Sequence, residues 1–128
     1  MEDPKLKHGT FGWNELMTTD TVAAKEFYGK LFGWQTEDMP MGDFNYTILK
    51  IGTLQVGGLM PIPSKAEGTP PCWNSYVTVD DIDETAAKAQ ELGGTIIVPP
   101  SDIPDVGRFA VIQDPQGAVI SAITYLKK

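Results

Sequence analysis

The sequence predicts an α+β fold in which two tandem βαβββ modules form a curved mixed sheet around a cleft, with the helices on the outside. Three observations carry that prediction. Residues 13–36, WNELMTTDTVAAKEFYGKLFGWQT, and residues 73–96, WNSYVTVDDIDETAAKAQELGGTI, share Trp13/Trp73, Asn14/Asn74, Thr18/Thr78, Asp20/Asp80 and Gly33/Gly93 when slid by 60 positions. Each copy reads as a short alternating run, an acidic cap, a helical stretch and a glycine stop. A proline-rich segment without periodicity separates the two.

Taken in order, residues 1–10 read as an irregular lead-in and residues 11–18, FGWNELMT, as a strand. A helix begins near Asp20, a favoured N-cap type. Ala24, Phe27, Tyr28 and Leu31 follow at helical spacing and form one apolar stripe. Gly33 supplies the stop. Strands are expected near 34–38, 44–50 and 54–60, the last two linked through Gly52 as a hairpin. Residues 61–71, PIPSKAEGTPP, hold four prolines and form the linker. The second copy opens with a strand at 73–79. Asp81 and Glu84 have capping-box spacing, with Asp in the cap. Ile82, Ala86, Ala89 and Leu92 form the second stripe, and Gly93-Gly94 ends the helix. Strands follow near 95–98, 107–113 and 118–125. Asp114-Pro115-Gln116-Gly117 suits a type I turn joining the last two. One domain is expected over residues 1–128, with module one at about 11–60 and module two at about 72–126.

The chain has 128 residues, enough for one domain with its own core, with 41% hydrophobic and 21% charged residues. No apolar run approaches the ~20 residues of a membrane helix, so no membrane partner is expected. The first ten residues contain no apolar stretch of the secretory kind. Cys72 is the single cysteine, so no internal disulfide exists. A cytoplasmic location is expected. The net charge is −7 and the pI about 4.5. That excludes a nucleic-acid partner, whose phosphates demand a basic surface, and is compatible with a neutral or cationic small molecule.

Several short segments recur in a telling order: Trp13-Asn-Glu-Leu-Met-Thr-Thr-Asp20, Phe27-Tyr28, Phe32-Gly-Trp34, Gly57-Gly-Leu-Met60, Val106-Gly-Arg-Phe109 and Asp114-Pro-Gln-Gly117. Together with the βαβββ repeat they resemble the vicinal oxygen chelate superfamily, which includes glyoxalase I, extradiol dioxygenases, and fosfomycin- and bleomycin-resistance proteins. The likeness spans about 11–126 and is closest to a glyoxalase-related subgroup of unassigned function. It implies a divalent metal held by His or Glu on the first and last strands of each module. It also implies pairing of chains, by docking or by module swapping, so a homodimer is expected.

Strand alternation sets which residues face the cleft. Val77 and Val79 face the helix, leaving Asn74, Tyr76 and Thr78 on the cleft side. Leu16 matches Val77, which puts Trp13, Glu15 and Met17 on the cleft side and makes the structural offset 61. The metal positions implied by the resemblance then fall on Trp13, Gly58, Asn74 and Ser121. Trp and Gly lack a side-chain donor, Asn and Ser are weak neutral ones, and the chain has one His and one Cys in all. No metal and no other cofactor is expected.

The expected function is therefore small-molecule binding in the cleft without the family metal. Trp13 either stacks on a ligand or packs as core. Glu15 acts as general base, making the protein a lyase or isomerase, or pairs with Arg108 or another cation for binding. Asn74, Tyr76, Thr78 and Ser121 form a polar set able to hydrogen-bond a ligand, with Met17 and Gly58 beside them. Arg108 binds a carboxylate or phosphate, or is a surface group. Trp34 and Trp73 are packing or rim residues. A third reading is sequestration of a cationic drug, as in bleomycin resistance.

Overall fold

The computed structural model describes residues 6–63, 68–103 and 106–126. Positions 64–67 of the expected linker, and the first five residues of the lead-in, lie outside them. The chain divides into two compact units, residues 13–74 in one and residues 75–128 with 1–12 in the other.

The unit of residues 13–74 runs β1 (Phe11–Thr18, which begins two residues earlier), α1 (Thr21–Phe32), β2 (Gln35–Pro40), β3 (Asn45–Ile51) and β4 (Leu54–Pro61). Its strands lie in the order β2-β3-β4-β1. β2, β3 and β4 are antiparallel neighbours, and β4 closes on β1 in parallel. A parallel pair needs a long crossover; α1 with β2 and β3 supplies it. Leu16, Leu49 and Leu59 form the buried core, with Ala24, Tyr28, Trp34 and Val56 packed around them.

The other unit repeats the plan: β5 (Cys72–Thr78, whose first three residues fall in the preceding unit), α2 (Ile82–Glu91), β6 (Thr95–Ile103), β7 (Gly107–Gln113) and β8 (Val119–Tyr125). The order β5-β8-β7-β6, with β5 and β8 parallel, mirrors the first. Val79, Ile82, Ala110 and Ala122 form its core, with Val77 and Ile112 against them. The mixed α+β class and the doubled βαβββ order are as the sequence predicts.

Local signals explain the boundaries. The Asp20 carboxylate accepts from the Ala23 N–H at 3.0 Å, and Asp81 accepts from Glu84 N–H at 3.1 Å, each satisfying a donor that the first turn leaves unpaired. Gly33 ends α1 with φ 78°, a conformation that costs a side-chain-bearing residue energy. Asp114 accepts from the N–H groups of Gln116 and Ala118, and its carbonyl takes the Gly117 N–H at 3.0 Å, which is the expected turn between β7 and β8.

Four expectations need correcting. α1 buries no residue, and Phe27 and Leu31 stand exposed, so only Ala24 and Tyr28 of the stripe reach the core. Leu92 likewise caps α2 from outside the core, and the left-handed Gly93 follows it as the expected stop. β6 runs to Ile103 through Pro99 and Pro100, well past the expected end at 98. It is the outer strand of its four, with one edge unpaired, and both prolines fall inside the second of two register shifts against β7, between Val98 and Ser101. The residues before β1 are also less irregular than expected. Gly9 N–H donates to Thr78 O at 2.7 Å and Thr78 N–H to Thr10 O at 2.8 Å. No helix among the described residues is long and apolar enough to cross a membrane.

Leu59 is fully buried, so Leu59→Ala is expected to cost about 2–5 kcal/mol in urea unfolding. Two carboxylates give the acid limb of stability. Asp38 accepts from Lys25 Nζ at 2.9 Å and from the buried Thr47 hydroxyl at 2.7 Å, and both hold it below its ordinary 3.8. Asp83 is held down by the Arg108 guanidinium. Groups depressed in the folded state add stability above their unfolded pKa and lose it as pH falls through the folded value. The urea midpoint should therefore drop below pH ~4, and the drop should be shallower in the Asp38→Asn/Asp83→Asn double variant; equal slopes would remove these groups from the acid limb.

Candidate functional site

The unit of residues 13–74 carries a hydrogen-bonded chain of three side chains. Alternation along β1 puts Trp13, Glu15 and Met17 on one face and Leu16 on the other, packed in the core. The Trp13 indole Nε1–H donates to the Tyr46 phenol oxygen at 2.8 Å. The Tyr46 hydroxyl donates to Glu15 Oε1 at 2.8 Å. An indole nitrogen can only donate. The phenol oxygen must therefore accept from Trp13, which commits its one proton to Glu15 as acceptor. Glu15 is 5% exposed, a degree of burial at which a carboxylate needs such partners.

Tyr46 comes from β3, two strands away from β1, and reaches across β4. It does so because residue 58 is glycine. A Cβ placed on Gly58 would run into the phenol ring and its oxygen. Gly58 is the register partner of Glu15 in the β1–β4 pair, so the phenol arrives directly beside the carboxylate. Gly57 is constrained separately: a Cβ there would lie 2.8 Å from the Asn14 carbonyl oxygen. Just before Gly57 the β3–β4 register shifts, with Leu49 opposite Gly57 but Lys50 opposite Gln55, which leaves Val56 as the extra residue of a bulge.

The other unit holds Tyr76, Thr78, Arg108 and Ser121, whereas Asn74 closes the unit of residues 13–74. Tyr76 pairs with Ser121 across the parallel β5–β8 ladder, the place that Glu15 and Gly58 occupy in the first unit. Tyr76, Thr78 and Ser121 are all buried. Val77 and Val79, on the opposite face, pack on Ile82, Ala110 and Ala122, as alternation requires. Arg108 is engaged elsewhere. Its Nε and Nη2 grip the two Asp83 oxygens at 3.0 Å each, and Nη1 meets Asp102 at 3.1 Å. These two acids raise the guanidinium above its ordinary value. Arg108 thus ties β7 to the first turn of α2 and to β6. Asn74, half-buried, has the Cys72 sulfur as its neighbour, 3.7 Å from Nδ2. Trp34 and Trp73 join Tyr28 in a cluster of rings with centroids 5.4–6.1 Å apart, a packing role.

The positions the resemblance assigns to a metal do not make a donor set for one. Trp13 presents an N–H already given to Tyr46, Gly58 presents nothing, and the Tyr46 phenol fills the space beside it. Asn74 and Ser121 are neutral oxygens, which alone do not satisfy a divalent transition metal. Among the described residues no group of three or more His, Cys, Asp or Glu side chains is placed to hold a metal ion.

Sequence reasoning misses Tyr46. The signal for it is the glycine pair in β4: a strand glycine asks which neighbour fills the missing side chain. Choosing Tyr46 needs the β3–β4 register, and the bulge at Val56 hides that register.

Residues 10–121 match the family model of the Glyoxalase/Bleomycin resistance protein/Dioxygenase superfamily. Among curated proteins, "Putative glyoxylase CFP32" of Mycobacterium tuberculosis is 47% identical over 116 residues, covering 90% of this chain and 44% of that protein. "Anthracycline biosynthesis protein DnrV" of Streptomyces peucetius is 29% identical over 126 residues, covering 88% and 46%. The chain spans about half the length of the curated relatives it matches. Among solved structures, methylmalonyl-CoA epimerase from Mycobacterium tuberculosis aligns at a TM-score of 0.67 and 16% identity over 99% of this chain and 94% of that one. A Streptomyces coelicolor methylmalonyl-CoA epimerase variant in complex with 2-nitronate-propionyl-CoA aligns at 0.68 and 15%, over 94% and 100%. At such identities the likeness is one of fold.

Gly58→Ala is expected to displace Tyr46 and cost about 1–3 kcal/mol. In a Tyr46→Ala background the same change should cost little, a coupling that a double-mutant cycle reads directly. Equal costs in both backgrounds would show that the phenol and residue 58 do not compete for space.

Proposed function

The chain belongs to the glyoxalase/bleomycin resistance protein/dioxygenase superfamily, and from that premise we propose that it binds a small organic molecule without a divalent metal, on the β1 face that carries Trp13, Glu15 and Met17. The observation that carries this reading is the Trp13–Tyr46–Glu15 chain. A phenol and an indole beside Gly58, with the buried Glu15 side chain next to them, support a site that works without the family metal. A carboxylate so placed favours a ligand with a hydrogen-bond donor or a positive charge, which the chain's net charge of −7 also favours. Trp13 offers a flat ring to stack against. That suits planar ligands, and the Streptomyces relatives are named for anthracycline biosynthesis.

A second reading has one observation in its favour. Glu15 is a buried carboxylate within a polar network, the kind of group that serves as general base in proton abstraction. On that reading the protein is a lyase or isomerase with Glu15 as base and the Tyr46 hydroxyl holding it in place. Sequestration of a cationic drug is the binding reading with a particular ligand, and needs no further residue.

The experiment is a thermal-shift screen of metabolites and drugs with and without chelator, followed by calorimetry on the hits. A charge-assisted hydrogen bond is worth roughly 1.5–3 kcal/mol, so Glu15→Gln should weaken binding about 10- to 100-fold. Trp13→Ala should weaken it further. Turnover that Glu15→Gln abolishes with affinity unchanged would establish the enzyme reading instead. A stoichiometric transition metal in untagged protein, by elemental analysis, would overturn metal independence.

A further inference from the structure

We infer that a row of methionines across the four strands of the unit of residues 13–74 is the apolar subsite of the ligand, and that it selects a flat body of several fused rings with its hydrogen-bond donor at the Glu15 end. This rests on the reading that the β1 face binds a small molecule, and it extends that site to Met39, Met60 and Ile48. The register builds the row. Met17 of β1 lies opposite Met60 of β4, and Met39 of β2 lies opposite Tyr46 of β3. Thr47 opposite Leu59 and Ile48 opposite Gly58 put Tyr46 beside Met60 in the antiparallel β3–β4 pair. Alternation places all four on the face away from Leu16, Leu49 and Leu59. The neighbouring row on that face is Glu15, Gly58, Ile48 and Glu37. At ~4.8 Å between strands and ~3.3 Å per residue, the two rows cover about 14 Å by 7 Å. The Tyr46 ring fills the hollow over Gly58, which levels the floor at its centre. Met39 is 45% exposed, and Met17 and Met60 are half-buried.

The internal repeat shows that the fold does not require methionine there. Glu15 opposite Gly58 corresponds to Tyr76 opposite Ser121, and Ile48 opposite Gly58 to Val111 opposite Ser121. Along the same strands Met17 corresponds to Thr78, Met60 to Ile123 and Tyr46 to Phe109. Met39, opposite Tyr46, corresponds to Ser101, opposite Phe109. The ring at Tyr46 and the aliphatic group at Ile48 persist in the second unit. Of the three methionines, two are replaced by hydroxyl residues and one by isoleucine.

Side-chain chemistry and charge name the occupant. Methionine is unbranched and polarisable, its sulfur makes favourable contacts with aromatic rings, and its shape adapts to what lies on it. A level row of such side chains, continued by the Tyr46 ring, gains most contact from a flat aromatic surface and least from a globular one. Charge then sets the direction in which the ligand lies. Glu15 is the buried acid at the β1 end. At the β2 end the charges are spent on each other, Lys50 Nζ donating to Glu37 at 2.8 Å. An ammonium or amine group therefore goes to Glu15, and the rings run outward over Met60 and Tyr46 to Met39.

Two probes of equal charge separate shape from charge: proflavine, a flat tricyclic cation, and adamantylamine, a globular ammonium of comparable bulk. Calorimetry on the intact chain should give proflavine an affinity at least about tenfold the higher. The Met17→Thr/Met39→Ser variant, which copies Thr78 and Ser101, should bring the two probes to within about twofold of each other. Its far-UV circular dichroism reports whether it folds, and should it not, Met39→Ser alone, at an exposed position, decides by the same ratio. Proflavine no tighter than adamantylamine, or a preference that survives in the folded variant, overturns the methionine row. Equal affinities that Glu15→Gln weakens alike overturn the row and leave the binding reading standing. Failure of both probes to bind removes the row and the charge reading together.

Discussion

The Tyr46 hydroxyl has a place beside Glu15 only because residue 58 has no side chain. That one vacancy organises the unit of residues 13–74 on its polar side. The phenol crosses β4, takes the Trp13 proton donor and gives its own proton to Glu15, so three side chains from two strands hold one another in register. Burying a carboxylate without partners would be costly. With the phenol present, Glu15 can sit buried on β1 with a hydrogen-bond donor beside it. The glycine also explains why the position offers no metal donor: the room a ligating side chain would use is occupied by the ring.

The two units show how far one plan can be bent. Both close a first strand in parallel against a last strand, both cap the helix with aspartate, and both stop it at a left-handed glycine. They then differ where folding leaves freedom. The second unit secures α2 by clamping Asp83 with Arg108. The first secures α1 through the Lys25–Asp38–Thr47 contact and the Tyr28 ring, and surrounds that ring with further aromatics. Both helices are held by apolar packing, Ile82 and Ala86 for α2 and Tyr28 with Ala24 for α1, and each adds an ion pair of its own.

What can be read from the sequence divides along the same line between local and distant. The Asp20 and Asp81 caps, the Asp114 turn, and the alternation that sends Leu16 and Val77 inward depend on residues a few positions apart, and all are legible. Trp13 and Glu15 are legible as sharing a face. Their link through Tyr46 is not, because it depends on a cross-strand register broken by Val56. The apolar stripe on α1 reads as core because periodicity reports only that residues share a face. It does not report how wide a face the sheet can cover, and the sheet covers Ala24 and Tyr28 but not Phe27 or Leu31. Arg108 reads as an anion binder, since its acids Asp83 and Asp102 are brought to it from α2 and β6 by the fold. β6 outruns its expected end because its prolines fall in a register shift on a strand with one open edge.

The residues ahead of β1 belong with the far half of the chain. Gly9 and Thr10 bond the backbone of Thr78, and the His8 Nδ1 accepts from the Asp80 N–H at 3.0 Å. The natural seam of the molecule is therefore not the proline-rich segment that looks like one on paper. A break at 61–71 would carry this strap away with the wrong half, leaving the end of β5 and the approach to α2 without their hydrogen-bond partners. Recombination that exchanges modules of this kind would have to respect two crossing points, near residues 12 and 75, and an inserted or duplicated half would need its own copy of the leading segment to be whole.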